Sequence, residues 1–204
     1  ANFTVFGAHK NMPGALEVII NDPRLQLDAL ILPGHVSTII GVEPYRFLAE
    51  KYGVPGVITG FEPVDVLQGI AMIMRQLHEG RAEIEIAYSR GVMREGNPVA
   101  LAAIGEVFDT VDATWRGLGV IPGSGYAIRE EFEDFDAVKR FHPEVEPTQN
   151  PKGCRCGDVL RGIMAPDECP LFRKVCTPEN PVGPCMVSSE GSCAALSLLL
   201  RAAS

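Results

Sequence analysis

A chain of 204 residues, 46% hydrophobic and 22% charged, has the composition of a folded globular protein and not of a disordered or collagen-like one. At this length roughly 70% of the unfolded surface can be buried, so a core needs no covalent staples. The formal charge of −8, from 26 acidic against 18 basic residues, repels phosphate backbones and anionic lipid surfaces and argues against nucleic acid or membrane as partner. No apolar run approaches the ~18 residues of a spanning helix, and the start ANFTVFGAHK carries no export signal, so the expected location is cytoplasmic.

The apolar pattern predicts strands over 3–8, 29–32, 56–59, 83–88 and 113–120, with helices over 14–21, 44–52, 63–78 and 98–111 between them. In the third helix Pro63 suits the first turn and Asp65 complements the positive end. Leu67, Ile70, Ala71, Met74 and Leu77 then recur at helical spacing, and Gly80 stops the run. Strands separated by helix-length connections imply an α/β fold, a parallel or mixed sheet with helices on both faces. Residues 1–145 are assigned to this domain, with a truncated two-lobe arrangement as a variant. Acids crowd together from Glu130 to Asp136, and Pro143, Pro147 and Pro151 then interrupt regular structure, which reads as a charged surface segment followed by a linker. Residues 146–204 form a small irregular module closed by a helix over about 189–203, with Ser188 or Ser189 as cap.

All six cysteines fall in that module: Cys154, Cys156, Cys169, Cys176, Cys185 and Cys193, separated by 2, 13, 7, 9 and 8 residues. Three disulfides would suit a secreted framework, which nothing else in the chain supports. Zinc prefers paired CxxC knuckles, and CxC is a poor substitute. An iron–sulfur cluster needs four thiolates converging from irregular backbone whose N–H groups stay free to meet sulfur. The prolines 166, 170, 178, 181 and 184, with glycines 157, 162, 183 and 191, supply that backbone. Four ligands leave two thiols, a remainder suited to making and breaking a disulfide beside a one-electron centre. Spacing alone does not say which four are ligands.

Other residues compete with plainer readings. ITGFEP places Gly60, Phe61 and Glu62 between a strand and a helix start, where α/β proteins bind ligands, though a turn glycine and a helix-start acid explain the same residues. His35 follows a strand's C-terminal end on the same side, as a cleft group or a hydrogen-bonded loop histidine. IPGSG at 121–125 reads as a glycine-rich turn lacking the lysine of a P-loop. Trp115 and Arg116 read as a stacked packing pair. Glu190 falls in the expected first turn of the last helix, either as a cap or as a proton donor to the thiols. Arg155 and Lys174 are placed to offset thiolate charge.

The runs CRCGDVLRG, PDECPLF and CTPENPVGPCMVSSEG followed by Cys193 resemble, in order, the iron–sulfur region of the HypD family of hydrogenase maturation proteins. GHVSTIIG, PYRFLAEKYGVPGVITGFEPVDVL, YSRGVMREGN, WRGLGVIPGSG and FDAVKRF are also similar to that family, so the resemblance covers nearly the whole chain. It implies that Cys154, Cys169, Cys176 and Cys193 hold a [4Fe–4S] cluster and that Cys156 and Cys185 form the redox-active pair, as at a ferredoxin–thioredoxin reductase site. It further implies a redox-active assembly scaffold more than a turnover enzyme. With a HypC-like partner such a scaffold holds iron while cyanide from a HypE-like donor, and carbon monoxide, are added to build an Fe(CN)2CO unit.

The family's CGTHE-like and GPGCPVC-like motifs do not occur here. The chain therefore reads as a fragment or a shorter relative, expected to carry the cluster but not to hold the Fe(CN)2CO iron by itself. Two alternatives stay open: an iron–sulfur-dependent thiol/disulfide oxidoreductase acting on a protein partner, and a zinc-binding module.

Overall fold

Residues 2–144 and 151–202 are described by a computed structural model; the expected boundary near 145, Pro147 and Ala203 lie outside them. In chain order the elements are α1 (Met12–Ile20), β1 (Leu30–Pro33), α2 (Gly34–Ile40), α3 (Arg46–Tyr52), β2 (Gly56–Thr59), α4 (Pro63–Glu79), β3 (Ile84–Ile86) and α5 (Pro98–Val107). There follow β4 (Phe108–Trp115), β5 (Gly119–Ile128), α6 (Ala137–Phe141), α7 (Cys156–Leu160), α8 (Pro184–Val187) and α9 (Ser192–Ala202). The fold is mixed α/β with a small parallel sheet, and it ends in a helix. By its contacts the chain divides into two compact units, one of Leu27–Asp109 with Tyr126–Glu133 and the other of Ala1–Gln26, Thr110–Gly125 and Asp134–Ser204. Among the described residues no helix is long and apolar enough to cross a membrane.

The first of these units holds the sheet, ordered β1-β2-β3, with Leu30 beside Gly56 and Gly56 beside Ile84. All four residues of β2 are buried, as expected of a central parallel strand covered on both faces. Side chains alternate along it. Val57 and Thr59 meet α4 at Gly69, while Gly56 faces Leu32 and Ile84 on the other side.

α4 runs within one residue of its expected span, but the face it turns to the sheet is not the one its apolar spacing suggests. Leu67, Ile70, Met74 and Leu77 are 66%, 42%, 59% and 41% exposed, and Ala71 is exposed too. The buried positions are Asp65, Gly69, Ile73 and Gln76. Gly69 lets the helix approach closely, since a methyl there would strike the Thr59 methyl. Gln76 is tolerated inside because its amide is satisfied at both ends: Nε2 donates to Glu85 at 2.6 Å, and Oε1 accepts the Glu83 N–H at 2.8 Å. Ile73→Ala is accordingly expected to cost about 2–4 kcal/mol in urea denaturation, against roughly 0.5 kcal/mol or less for Leu67→Ser. Equal losses would mean that the sequence pattern names the right face after all.

Other expectations shift for local reasons. No strand forms over 3–8: Phe3, Val5 and Phe6 are exposed, and Val5 makes an isolated bridge to Asp136. The segment after β1 is a helix, α2, which its β-branched residues Val36, Thr38, Ile39 and Ile40 had obscured. α5 stops at Val107, and the chain turns to strand at Phe108, where Thr110 and Val111 favour it. The span 113–120 is not one strand: Gly117 and Gly119, at φ of 84° and 88°, turn the chain between β4 and β5. IPGSG, expected as a turn, lies within β5, with the Gly123 N–H donating to Asp112 at 3.0 Å.

Candidate functional site

The cysteine-rich segment is held by short pieces instead of long elements. Cys156 opens α7, Cys169 follows a single 3-10 turn at Pro166–Glu168, Cys185 sits in the four-residue α8, and Cys193 lies in the first turn of α9. Cys176 is fixed by its N–H donating to the Leu171 carbonyl at 2.9 Å. These pieces converge. All six cysteines line one cavity of about 10 Å³, walled by Val159, Leu171, Phe172 and Met186. Five of the six are buried, Cys154 is half-buried, and all are free thiols.

Within the cavity the sulfurs are not equivalent. Cys156 Sγ lies 2.6 Å from Cys185 Sγ, inside van der Waals contact. Cys176 Sγ accepts the Val182 N–H at 3.3 Å, and the Cys156 backbone N–H serves Cys154. A side chain at Gly183 would place its Cβ 2.5 Å from Cys154 Sγ, so only glycine lets the backbone pass that sulfur. Burial pushes the Cys154 thiol up, and pushes Cys193 up to about 11, with the neighbouring thiols adding to both. Burial also raises Cys185, followed by its contact with Cys156. These three sulfurs therefore keep their protons at neutral pH.

The donor set suits an iron–sulfur centre: thiols, backbone N–H groups aimed at sulfur, and apolar walls that exclude water. A cavity of about 10 Å³ admits at most one water, and among the described residues no three His, Cys, Asp or Glu side chains are grouped to hold a metal ion as they stand.

Glu190 is exposed and lies ahead of α9, not in its first turn, with its N–H donating to Ser188 Oγ at 3.3 Å. It does not line the thiol cavity. Arg155 is held by Asp158 at 2.6 Å, and Lys174 is exposed.

A second site lies at the C-terminal ends of the sheet strands, in the unit that holds them. His35, Thr38, Glu62, Asp65, Tyr88 and Arg90 line a crevice of about 340 Å³. The Arg90 guanidinium donates to both oxygens of the 4% exposed Asp65 at 2.6 Å, reaches Glu62 at 3.3 Å and lies over the Tyr88 ring at 4.6 Å. It holds the Asp65 carboxyl below the usual carboxylate range. His35 stacks against Phe61, with ring centroids 5.1 Å apart. The structure thus brings His35 and Glu62 into one crevice. It adds Asp65, Tyr88 and Arg90, which the sequence reading missed; the run YSRGVMREGN beyond β3 was the available signal.

The HypD family model, described as the hydrogenase formation hypA family, matches residues 1–198. Hydrogenase maturation factor HypD of Cupriavidus necator is 46% identical over 201 residues, covering 95% of this chain and 53% of that protein. Hydrogenase expression/formation protein HupD of Azotobacter chroococcum is 48% identical over 200 residues, with 95% and 53% covered. Hydrogenase maturation factor HypD of Azotobacter vinelandii is 47% identical over 200 residues, with the same shares. The chain spans about half the length of these relatives. On this match, which runs from residue 1 past the last cysteine to residue 198, the chain belongs to the HypD family of hydrogenase maturation factors.

Proposed function

We propose that this chain is the cluster-bearing portion of a hydrogenase maturation scaffold. In this reading Cys154, Cys169, Cys176 and Cys193 hold a [4Fe–4S] cluster, and Cys156 with Cys185 exchanges two electrons as a dithiol/disulfide pair. The single observation that carries it is the convergence of six thiols on one apolar cavity, with the two sulfurs of the proposed pair already touching. When bound, the cluster supplies one-electron transfer.

The chain's own residues do the rest. Burial pushes the Cys154 and Cys193 thiols up, so loading at these two must release protons and grows easier as pH rises. Val159, Leu171, Phe172 and Met186 exclude water from the sulfurs. His35 and Glu62 are cleft groups of the same scaffold, whose cargo is the Fe(CN)2CO iron and whose partners are a HypC-like protein and a HypE-like cyanide donor, in the cytoplasm. Holding that iron is assigned to the family-length protein and not to this chain alone.

Anaerobic preparation tests the reading. The expected result is a brown protein with about four iron and four acid-labile sulfide per chain and no cyanide or carbonyl infrared bands. A colourless zinc-loaded or metal-free protein overturns the cluster, and infrared bands on the isolated chain overturn the division of labour. The close Cys156–Cys185 contact also favours a second reading, a thiol/disulfide oxidoreductase. Repeated turnover on a protein disulfide, with no complex formed with HypC-like or HypE-like proteins, would select it.

A further inference from the structure

The WRGLG run takes no part in either site, yet it reaches the helix that carries one of the paired thiols. Between β4 and β5 the Leu118 N–H donates to the Trp115 carbonyl at 3.1 Å, and Gly117 sits at φ 84°. The tip of this turn meets Gly157, the residue after Cys156. A Cβ built on Gly157 would lie 2.7 Å from the Gly117 carbonyl oxygen, and one built on Gly117 would lie 3.1 Å from Gly157 Cα. Two backbones at this distance leave no room for a side chain on Gly157, and one on Gly117 would be tight as well as strained at its φ.

The turn is itself anchored. Trp115 Nε1 donates at 2.7 Å to the hydroxyl of Ser124, which is fully buried and donates in turn to the Ile121 carbonyl at 2.8 Å. The Ser124 carbonyl accepts the Asn11 N–H at 2.7 Å, at the start of α1. Beyond α1 the chain also grips α7 by charge: Arg24 reaches Asp158 at 3.4 Å, and Asp22 reaches Arg161 at 3.7 Å. α7 has five residues, well short of the ~12 at which a helix begins to hold itself, so its place depends on what it leans against.

We infer that the Gly117 turn is the stop against which α7 rests, and that Gly117 and Gly157 are positioning residues that set the Cys156 sulfur against Cys185. This rests on the reading of those two cysteines as the redox pair. In the step concerned, one thiolate attacks a small disulfide and the second resolves the mixed disulfide. The Cys156–Cys185 bond forms, two electrons pass to the small disulfide, and two small thiols leave with the two protons. A disulfide tolerates only a narrow Cβ–Cβ range, about 3.5–4.5 Å, so displacing α7 from its stop weakens the bond that closes.

The test equilibrates the full chain anaerobically in glutathione buffers, traps free thiols, and locates the Cys156–Cys185 linkage by mass spectrometry. Gly157→Ala is expected to lower the equilibrium constant for the disulfide at least tenfold, about 30 mV. If Gly157→Ala does not fold, Gly117→Ala carries the same test and the same expectation. Gly69→Ala, in the sheet unit, should lower stability but leave the constant unchanged, which separates positioning from general weakening. Asp158→Asn weakens the Arg24 and Arg155 ion pairs to α7 but keeps the glycine contact, and should move the constant less than threefold.

Absence of the linkage in the unaltered chain overturns the redox pair itself. A linkage whose constant stays within twofold in the glycine variants overturns the positioning role alone, as does a larger effect from Asp158→Asn than from Gly157→Ala.

Discussion

Cys169→Ala is expected to yield a colourless chain on anaerobic preparation, with iron and sulfide falling from about four each to below one, whereas Cys156→Ala stays brown and loses only disulfide formation. The contrast rests on the proposed division of roles, since both sulfurs line the same cavity. Cys169, 8% exposed, follows a 3-10 turn and packs in the cluster of buried side chains with Phe172, Met186 and Ala194. Cys156 meets Cys185 directly. Removing a ligand also removes the ligation energy that would hold the short pieces of the segment, so Cys169→Ala should become the more protease-sensitive of the two. Visible absorption, iron and sulfide assays and limited proteolysis check this together. Two variants that remain equally brown would show that the ligands have been assigned to the wrong cysteines.

Arg90→Ala should produce the largest loss in the sheet unit, with a pH signature of its own. Asp65, its side chain 5% exposed in the first turn of α4, would lose both guanidinium bonds and keep only the backbone hydrogen bond with Glu62 against its burial. In the unaltered protein its pKa is lowered, so its contribution is present above the ordinary carboxylate value of about 3.9 and is lost as pH falls through the lower folded value. In the variant burial reverses the shift and favours the protonated acid. The stability gap between the two proteins is therefore widest near neutral pH and narrows as pH falls, first through the variant's raised value and then through the lowered one of the unaltered protein. Arg90→Lys, which keeps the charge without the two-point grip, should fall between them. Urea denaturation at neutral and at acid pH decides it, and a gap that does not change with pH would mean that Asp65 is not the group concerned.

What could be read from sequence depended on whether the signal was local. β2 is bounded by turn residues on both sides, and α4 by Pro63 and Gly80, so both spans were legible. The inward face of α4 was not. Periodicity reveals a stripe without its direction, and here the contact depends on Gly69 and on a Gln76 whose partners are on and beside β3. The β4–β5 hairpin was blurred because Ala-rich helix and β-branched strand meet without a break at Val107. At the thiol centre, clustering in the chain announced the site, while only family resemblance separated ligands from the redox pair. In the crevice, Asp65 and Arg90 lie 25 residues apart and are joined by folding alone; local chemistry suggested a helix-start acid and nothing more.

The thiol-bearing unit is assembled from three separated stretches, with the sheet unit's residues inserted between them. During synthesis Ala1–Gln26 must wait for Thr110–Gly125, and both must wait for Asp134–Ser204, whereas Leu27–Asp109 can begin to collapse as soon as it emerges. Oxygen or stray oxidants meeting the half-made polypeptide would therefore find its sulfurs before the shelter around them is complete.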